Sequence, residues 1–149
     1  MNKSFVFIPY EQIGDLVFGM TRDQVRKICG ECKFSRMYGY PVENRYLDDF
    51  GYMHGLYSSE HILEAVELFP VSSIEYKNIK VSIGEDACAL IEELKKITND
   101  IKYVEEDESY VSEKLGLMIY CPEHVVEDVL IYTKHYFDVE NEDMSNQEL

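Results

Sequence analysis

Apolar side chains recur at helical spacing in two short windows of the chain, and at strand-like, aromatic-rich spacing over most of the remainder. In the first window, Phe18-Gly19-Met20-Thr21-Arg22-Asp23-Gln24-Val25 runs on to Gly30. Thr21 has the hydroxyl of an N-cap, which accepts from an unpaired amide of the first turn, and Gln24 three residues later reaches back to complete a capping box. Met20 and Val25 hold the two positions at which apolar side chains pack across a helix start. Gly30 supplies a left-handed stop, so the pattern predicts a helix over 22–29. In the second window, Asp86 is the cap, and Ala87, Leu90, Ile91, Leu94 and Ile97 form one apolar stripe that predicts a helix ending near Thr98-Asn99. Glu92, Glu93, Lys95 and Lys96 make its solvent face, with Glu92 and Lys96 spaced for a pair of about 0.2 to 0.5 kcal/mol.

Elsewhere Tyr, Val, Ile and Phe alternate with polar residues between turn formers, which predicts strands. The candidates are 32–38, 51–58, 61–69, 72–82 as a bent strand or a hairpin about Lys77-Asn78, 101–104, 109–120 and 125–137. The stretch 39–49, with Pro41 and Asn44, reads as a loop.

The two halves of the pattern resemble each other. Residues 60–69 (EHILEAVELF) align without gaps on 123–132 (EHVVEDVLIY), with the first Glu, the His, the second Glu and a Val identical. Gly55-Leu56 matches Gly116-Leu117, Gly19 matches Gly84, and the cap Thr21 matches Asp86. Three landmarks therefore recur in one order at nearly constant distance, which argues for an internal duplication. The expected fold is α+β: two tandem helix-plus-antiparallel-sheet repeats forming one compact protein, with the helices on one sheet face. The first repeat would span 1–82 and the second 83–137, followed by a disordered acidic tail over 138–149.

Composition narrows the function more by exclusion than by indication. The 149 residues are 46% hydrophobic, with 12 Tyr and 7 Phe, enough apolar surface for a real core. Twenty-nine acids against 14 bases give a formal charge of −15, of which −10 belongs to residues 1–137. Such a surface repels phosphates and anionic lipid, and excludes nucleic acid and membrane as expected partners. It attracts a basic protein and speeds that encounter at low salt. The apolar run Phe5 to Ile8 is too short for a signal core and no stretch approaches a membrane span, so a cytoplasmic location with four reduced cysteines is expected.

The segment Gly19-Met20-Thr21, continuing through Val25 and Ile28 to Gly30, resembles the opening motif of the SmpA/OmlA outer-membrane assembly lipoproteins and of the related β-lactamase inhibitor protein superfamily. That resemblance implies helix-plus-antiparallel-sheet units, two in tandem in the inhibitor proteins, presenting a concave sheet surface to a protein partner. The match covers 12 residues, and the second copy, Gly84-Glu85-Asp86, keeps only the Gly and a capping residue. It implies no particular contact residues.

Candidate chemistry is sparse. Cys29-Gly30-Glu31-Cys32 is a CxxC, but at a helix end the dipole disfavours thiolate, and no second CxxC completes a zinc site. His61 and His124 hold equivalent repeat positions, which duplication alone explains, and His54 and His135 add no metal-ligand spacing. No nucleophile elbow, phosphate loop or distinctive carboxylate constellation is present, so no enzyme activity, cofactor or metal is expected. Asp48-Asp49 reads as a solvated turn. Tyrosine is favoured at protein interfaces, where a rigid apolar ring carries a polar tip. Tyr52, Tyr57, Tyr103, Tyr110 and Tyr120 fall on predicted strands and are the expected partner-binding set, joined by the acidic turn Glu105-Glu106-Asp107. The expected function is thus a non-enzymatic acidic protein-binding module, an inhibitor or immunity-type protein for a basic partner. The alternatives are an assembly protein that homodimerises through an exposed sheet edge, and a small-molecule-binding protein or enzyme with a site between the repeats formed by His61, Glu64, His124 and Glu127.

Overall fold

The computed structural model describes residues 3–39 and 44–137. The chain runs β1 (Lys3–Ile8), β2 (Gln12–Ile13), β3 (Leu16–Val17), α1 (Arg22–Cys29), β4 (Phe34–Tyr38), β5 (Arg45–Asp49), β6 (Met53–Tyr57), β7 (Leu63–Leu68), β8 (Ser72–Tyr76), β9 (Ile79–Ser82), α2 (Ala87–Leu94), β10 (Lys102–Val104), β11 (Ser109–Ser112), β12 (Leu117–Tyr120) and β13 (Asp128–Tyr132). It is a mixed α+β fold, predominantly strand, with two sheets. The larger sheet has the order β10-β11-β12-β13-β7-β6-β5-β4, so two four-stranded antiparallel meanders meet where β13 pairs with β7. The smaller sheet, β3-β2-β1-β8-β9, contains the one parallel pairing described, β1 with β8. No helix among the described residues is long and apolar enough to cross a membrane.

Local chemistry explains both helix starts. The Thr21 hydroxyl accepts from Gln24 N and the Gln24 side chain accepts from Thr21 N, the full capping box. Asp86 accepts from the amides of Cys88 and Ala89. Each cap follows a glycine at positive φ, +100° at Gly19 and +94° at Gly84, a conformation that glycine adopts without the Cβ clash other residues meet. α2 ends at Leu94, earlier than the apolar stripe predicts, because Ile97 and Thr98 fold back in a tighter turn onto the Leu94 carbonyl. Lys96 reaches Glu93 rather than Glu92.

The stretches 60–69 and 123–132 occupy matching settings. His61 and His124 sit at φ of +63° and +64°. Arg22 N donates to His61 O, and Ala87 N donates to His124 O, both at 2.9 Å. Gly19 N donates to Leu63 O and Leu63 N to Met20 O; Gly84 N donates to Val126 O and Val126 N to Glu85 O. In each case the chain entering the helix is therefore stitched at, or just ahead of, the start of the strand where its meander meets the other, β7 or β13.

One core lies between the larger sheet and everything on its covered face. Val25 of α1, Leu90, Ile91 and Leu94 of α2, and Phe7, Ile13, Leu16, Ile74 and Val81 of the smaller sheet join Met53, Tyr57, Val66, Leu68, Ile119, Val129 and Ile131 of the larger sheet in one buried cluster. A separate small cluster, Leu47, Leu56, Ala65, Leu130, Tyr132 and Tyr136, lies on the opposite face. Strand alternation separates the two sets.

Two strand expectations are corrected, and the N-terminal stretch gains strands that the sequence pattern does not predict. Residues 45–49 form β5 rather than a loop, and its charges Arg45 and Asp48 are buried, which a solvated reading of polar residues misses. Residues 109–120 make two strands, turned at 113–116, where Ser112 Oγ accepts from Leu115 N and Asp100 accepts from Lys114 N. The N-terminal stretch forms β1 to β3. The expected loop residues 40–43 and the expected tail 138–149 lie outside the described residues.

Candidate functional site

The face of the larger sheet turned away from the helices holds a groove where the two meanders meet. Strand register sets side chains in rows across it: Arg36, Leu47, Leu56 and Ala65 in one, His54, Glu67, Leu130 and Met118 in a second, Asp128, Tyr120 and Ser109 in a third. The groove encloses a volume of about 360 Å³. Its floor is Leu47, Leu56, Met118 and Leu130; Tyr38, Tyr120 and Tyr136 line it, with Arg36 from β4 and Asp107 from the β10–β11 turn. The C-terminal turn closes one end. There Tyr136, fully buried, shares a 3.0 Å hydroxyl contact with Tyr38, and the Arg45 guanidinium lies 4.9 Å from the Tyr136 ring centre while pairing with Glu64.

Two carboxyl groups sit at the centre of this groove on adjacent strands, Glu67 on β7 and Asp128 on β13. His54 Nδ1 lies 2.8 Å from Glu67 Oε1, and His54 Nε2 lies 3.7 Å from Asp49. Burial opposes the ionisation of both acids. For Glu67 it is outweighed by hydrogen bonds from His54 and from Asp128 and by the His54 and Arg36 charges, so its pKa falls below the usual range. For Asp128 burial dominates, and Glu67, by hydrogen bond and by charge, adds to it against one opposing backbone hydrogen bond at Val129, so its pKa is pushed up to about 8. The two acids therefore titrate as a coupled pair, in which Glu67 is the side favoured as carboxylate and Asp128 the side favoured as acid.

On the covered face of the same sheet, Asp48 is fully buried and fully paired. Arg22 Nη2 donates to Oδ1 at 2.6 Å, Arg26 Nε to Oδ2 at 2.8 Å and Ser35 Oγ to Oδ1 at 2.6 Å. Although burial raises it, these partners hold its carboxyl far below the usual carboxylate range. Asp48 is thus an internal anchor for α1, and the expectation of a solvated turn is corrected.

The predicted tyrosines do not share one surface. Tyr57 is fully buried on the helix side, with the Arg22 guanidinium 5.2 Å from its ring centre, so it cannot touch a partner. Tyr52 lies in the β5–β6 turn, stacked on Phe5 with Lys3 Nζ 4.7 Å from its ring centre. Tyr103 and Tyr110 pack edge to face at 4.9 Å in the strand row that contains Ile119, also on the helix side. Only Tyr120, 40% exposed, lies on the groove wall. The acidic turn fares better: Glu105, Glu106 and Asp107 form an exposed 3-10 turn with Asp107 at the groove rim. Of the alternative set, none of His61, Glu64, His124 and Glu127 lines the groove. His61 packs on Tyr46, Glu64 pairs with Arg45, and His124 and Glu127 are exposed. The charged groove residues that sequence reasoning missed are Arg36, Glu67 and Asp128, with His54 beside Glu67.

Cys29 and Cys32 are free thiols at the end of α1, and burial pushes the Cys29 thiol up. Among the described residues, no three His, Cys, Asp or Glu side chains converge as metal ligands. No protein-family model, curated protein or solved structure matches the chain.

Proposed function

We propose that the chain is a non-enzymatic binding module that holds a basic protein on the helix-free face of its larger sheet, in the manner of an inhibitor or immunity-type protein. One observation carries the reading. The two meanders meet in an open groove with an apolar floor, tyrosine walls and a half-buried acid pair, in a chain of net charge −15. Apolar floors with a few convergent polar groups are where ligand and partner anchors seat, and the acidic surface raises the encounter rate with a cationic protein. We read the two halves as copies of one unit, supported by the matching hydrogen bonds at His61 and His124. Two tandem units that leave a sheet face free are also what the resemblance to the inhibitor superfamily implies.

The test is a low-salt pull-down with the intact protein, followed by light scattering of any complex. A complex with a basic protein, weakened by Tyr120→Ala and Asp107→Ala and by added salt, supports the reading. Recovery of no basic partner at low salt, or a complex indifferent to both substitutions, overturns it.

The groove volume favours a second reading, a small-molecule site between the two halves, because about 360 Å³ falls in the range of roughly 300 to 1,000 Å³ typical of ligand pockets. Soaking or titration with small metabolites that displaces the protein partner would support it.

A further inference from the structure

We infer that Glu67 and Asp128 form the receptor for one lysine or arginine side chain of the basic partner, which lies along the groove floor with its charged head between the two carboxyls. This deepens the reading above and rests on it for the identity of the partner. Four observations carry it.

The floor made by Leu47, Leu56, Met118 and Leu130 matches an alkyl stem, which long cationic side chains bury while their heads stay hydrated or paired. The enclosed volume of about 360 Å³ accommodates one such side chain. Among the described residues, no Lys or Arg lies within ion-pair distance of either carboxyl; their one basic contact is His54 on the far side of Glu67. The walls Tyr38 and Tyr120 present rings where cation–π attraction would add to the carboxyl pair.

Asp48 shows how this protein treats a buried aspartate that serves the fold, since two arginines and a serine reach it. Asp128 is left with a proton where Asp48 has cations. A half-buried acid held neutral in this way loses little in the free protein and gains a strong ion pair once a cation displaces the proton. Binding is therefore linked to proton release. The other titratable groups around the pair are His54 on β6 with Asp49 behind it, Arg36 and Tyr38 on β4, Tyr120 on β12, Tyr136 and the rim Asp107. Of these, Arg36 and His54 favour ionisation of Glu67, which leaves Asp128 as the acid that must give up the proton.

The experiment uses the full chain and Nα-acetyl-arginine methylamide as probe, followed by backbone amide NMR at pH 8.5 and pH 6.5, with the acetyl-glutamate analogue as the control. The expected result is a set of shifts confined to β6, β7, β12 and β13, with affinity falling by up to roughly tenfold per pH unit below the Asp128 titration. Asp128→Asn retains a donor to Glu67 and so keeps the fold; it should abolish the pH dependence and weaken binding, and Glu67→Gln should weaken binding while its amide spectrum stays folded. Shifts located elsewhere, equal binding of the anionic control, or binding unchanged in both folded variants would overturn the inference, as would no shift in the wild type at pH 8.5. If the probe fails while a basic protein still binds through Tyr120 and Asp107, the cation receptor falls and the binding-module reading survives. If the probe binds and no basic protein does, the site stands and the partner assignment falls.

Discussion

Asp48 and Asp128 lie on opposite faces of one sheet, and both are drawn out of water, yet they are held in opposite ionisation states. Asp48 is surrounded by Arg22, Arg26 and Ser35 and stays charged deep into acid. Asp128 faces Glu67, and burial with that neighbouring acid favours its protonated form. Burial is common to both; the neighbours decide. The covered face is complete at Asp48, because two arginines of α1 and Ser35 of β4 answer its charge. The open face is incomplete at Asp128, because the group that answers it is a second acid, Glu67. That difference separates a residue used to build the molecule from one kept ready for something outside it.

The contrast between the faces is easiest to break at their aromatic residues. Tyr57→Ala removes a fully buried ring beside Arg22 and should cost about 3 to 5 kcal/mol, whereas Tyr120→Ala on the groove wall should change stability by less than about 0.5 kcal/mol. Urea denaturation of the two variants checks this, and comparable losses would mean that the open face is packed as tightly as the covered one. Next in size is Asp48→Asn, which leaves two arginines facing a neutral amide and should cost about 3 kcal/mol at pH 7. The sign with pH is fixed by the lowered folded pKa. The wild type holds this stabilisation above the ordinary aspartate range and loses it as pH falls through the native value, so the gap between wild type and variant should narrow in acid. A gap that is constant from pH 7 to pH 3 would show that the charge of Asp48 is not what anchors α1.

The architecture is largely readable from the sequence because its signals are local. The Thr21 capping box and the hairpin at Lys77-Asn78 depend on neighbours a few residues away, and such signals place both helix starts. β5 is illegible for the opposite reason: Arg45 and Asp48 become buriable only when Glu64 and the two α1 arginines arrive from elsewhere in the chain. The groove is hidden for a related cause. Residues shared by the two halves point to His61, Glu64, His124 and Glu127, whereas the groove acids sit where the halves disagree, Asp128 opposite Ala65 in the alignment and Glu67 opposite Leu130. Shared residues there maintain the common turn and strand start; the differing ones make the groove. A charged residue inside an otherwise apolar strand, as in Leu-Glu-Ala-Val-Glu-Leu at 63–68, is the signal the sequence does carry.

Asp128→Asn sharpens the contrast from the open side. Between the unfolded value near 4 and the native value near 8, the folded chain holds one more proton than the unfolded chain, so wild-type stability should fall as pH rises across that window, by at most about 1.4 kcal/mol per unit. Glu67 acts in the opposite sense and in a lower window, below its ordinary range. The amide variant has no proton to lose, so its melting temperature should fall less between pH 6 and pH 9 and overtake the wild type at the alkaline end. Parallel curves would place the proton elsewhere.

The smallest effect belongs to the rim. Glu105→Gln with Glu106→Gln removes two exposed charges from the 3-10 turn and should leave stability within about 0.5 kcal/mol, because exposed charges contribute little to folding. Their consequence should appear in association. At low salt the on-rate for a basic partner should drop a few-fold with the off-rate unchanged, and the difference should vanish once salt shortens the screening length from about 10 Å to about 3 Å. Asp128→Asn should do the reverse, leaving the on-rate and raising the off-rate, since an acid in the floor of a groove acts only after the partner has arrived. Stopped-flow association at two salt concentrations separates the two; a rim that governs the off-rate would mean that the partner grips the turn and not the groove.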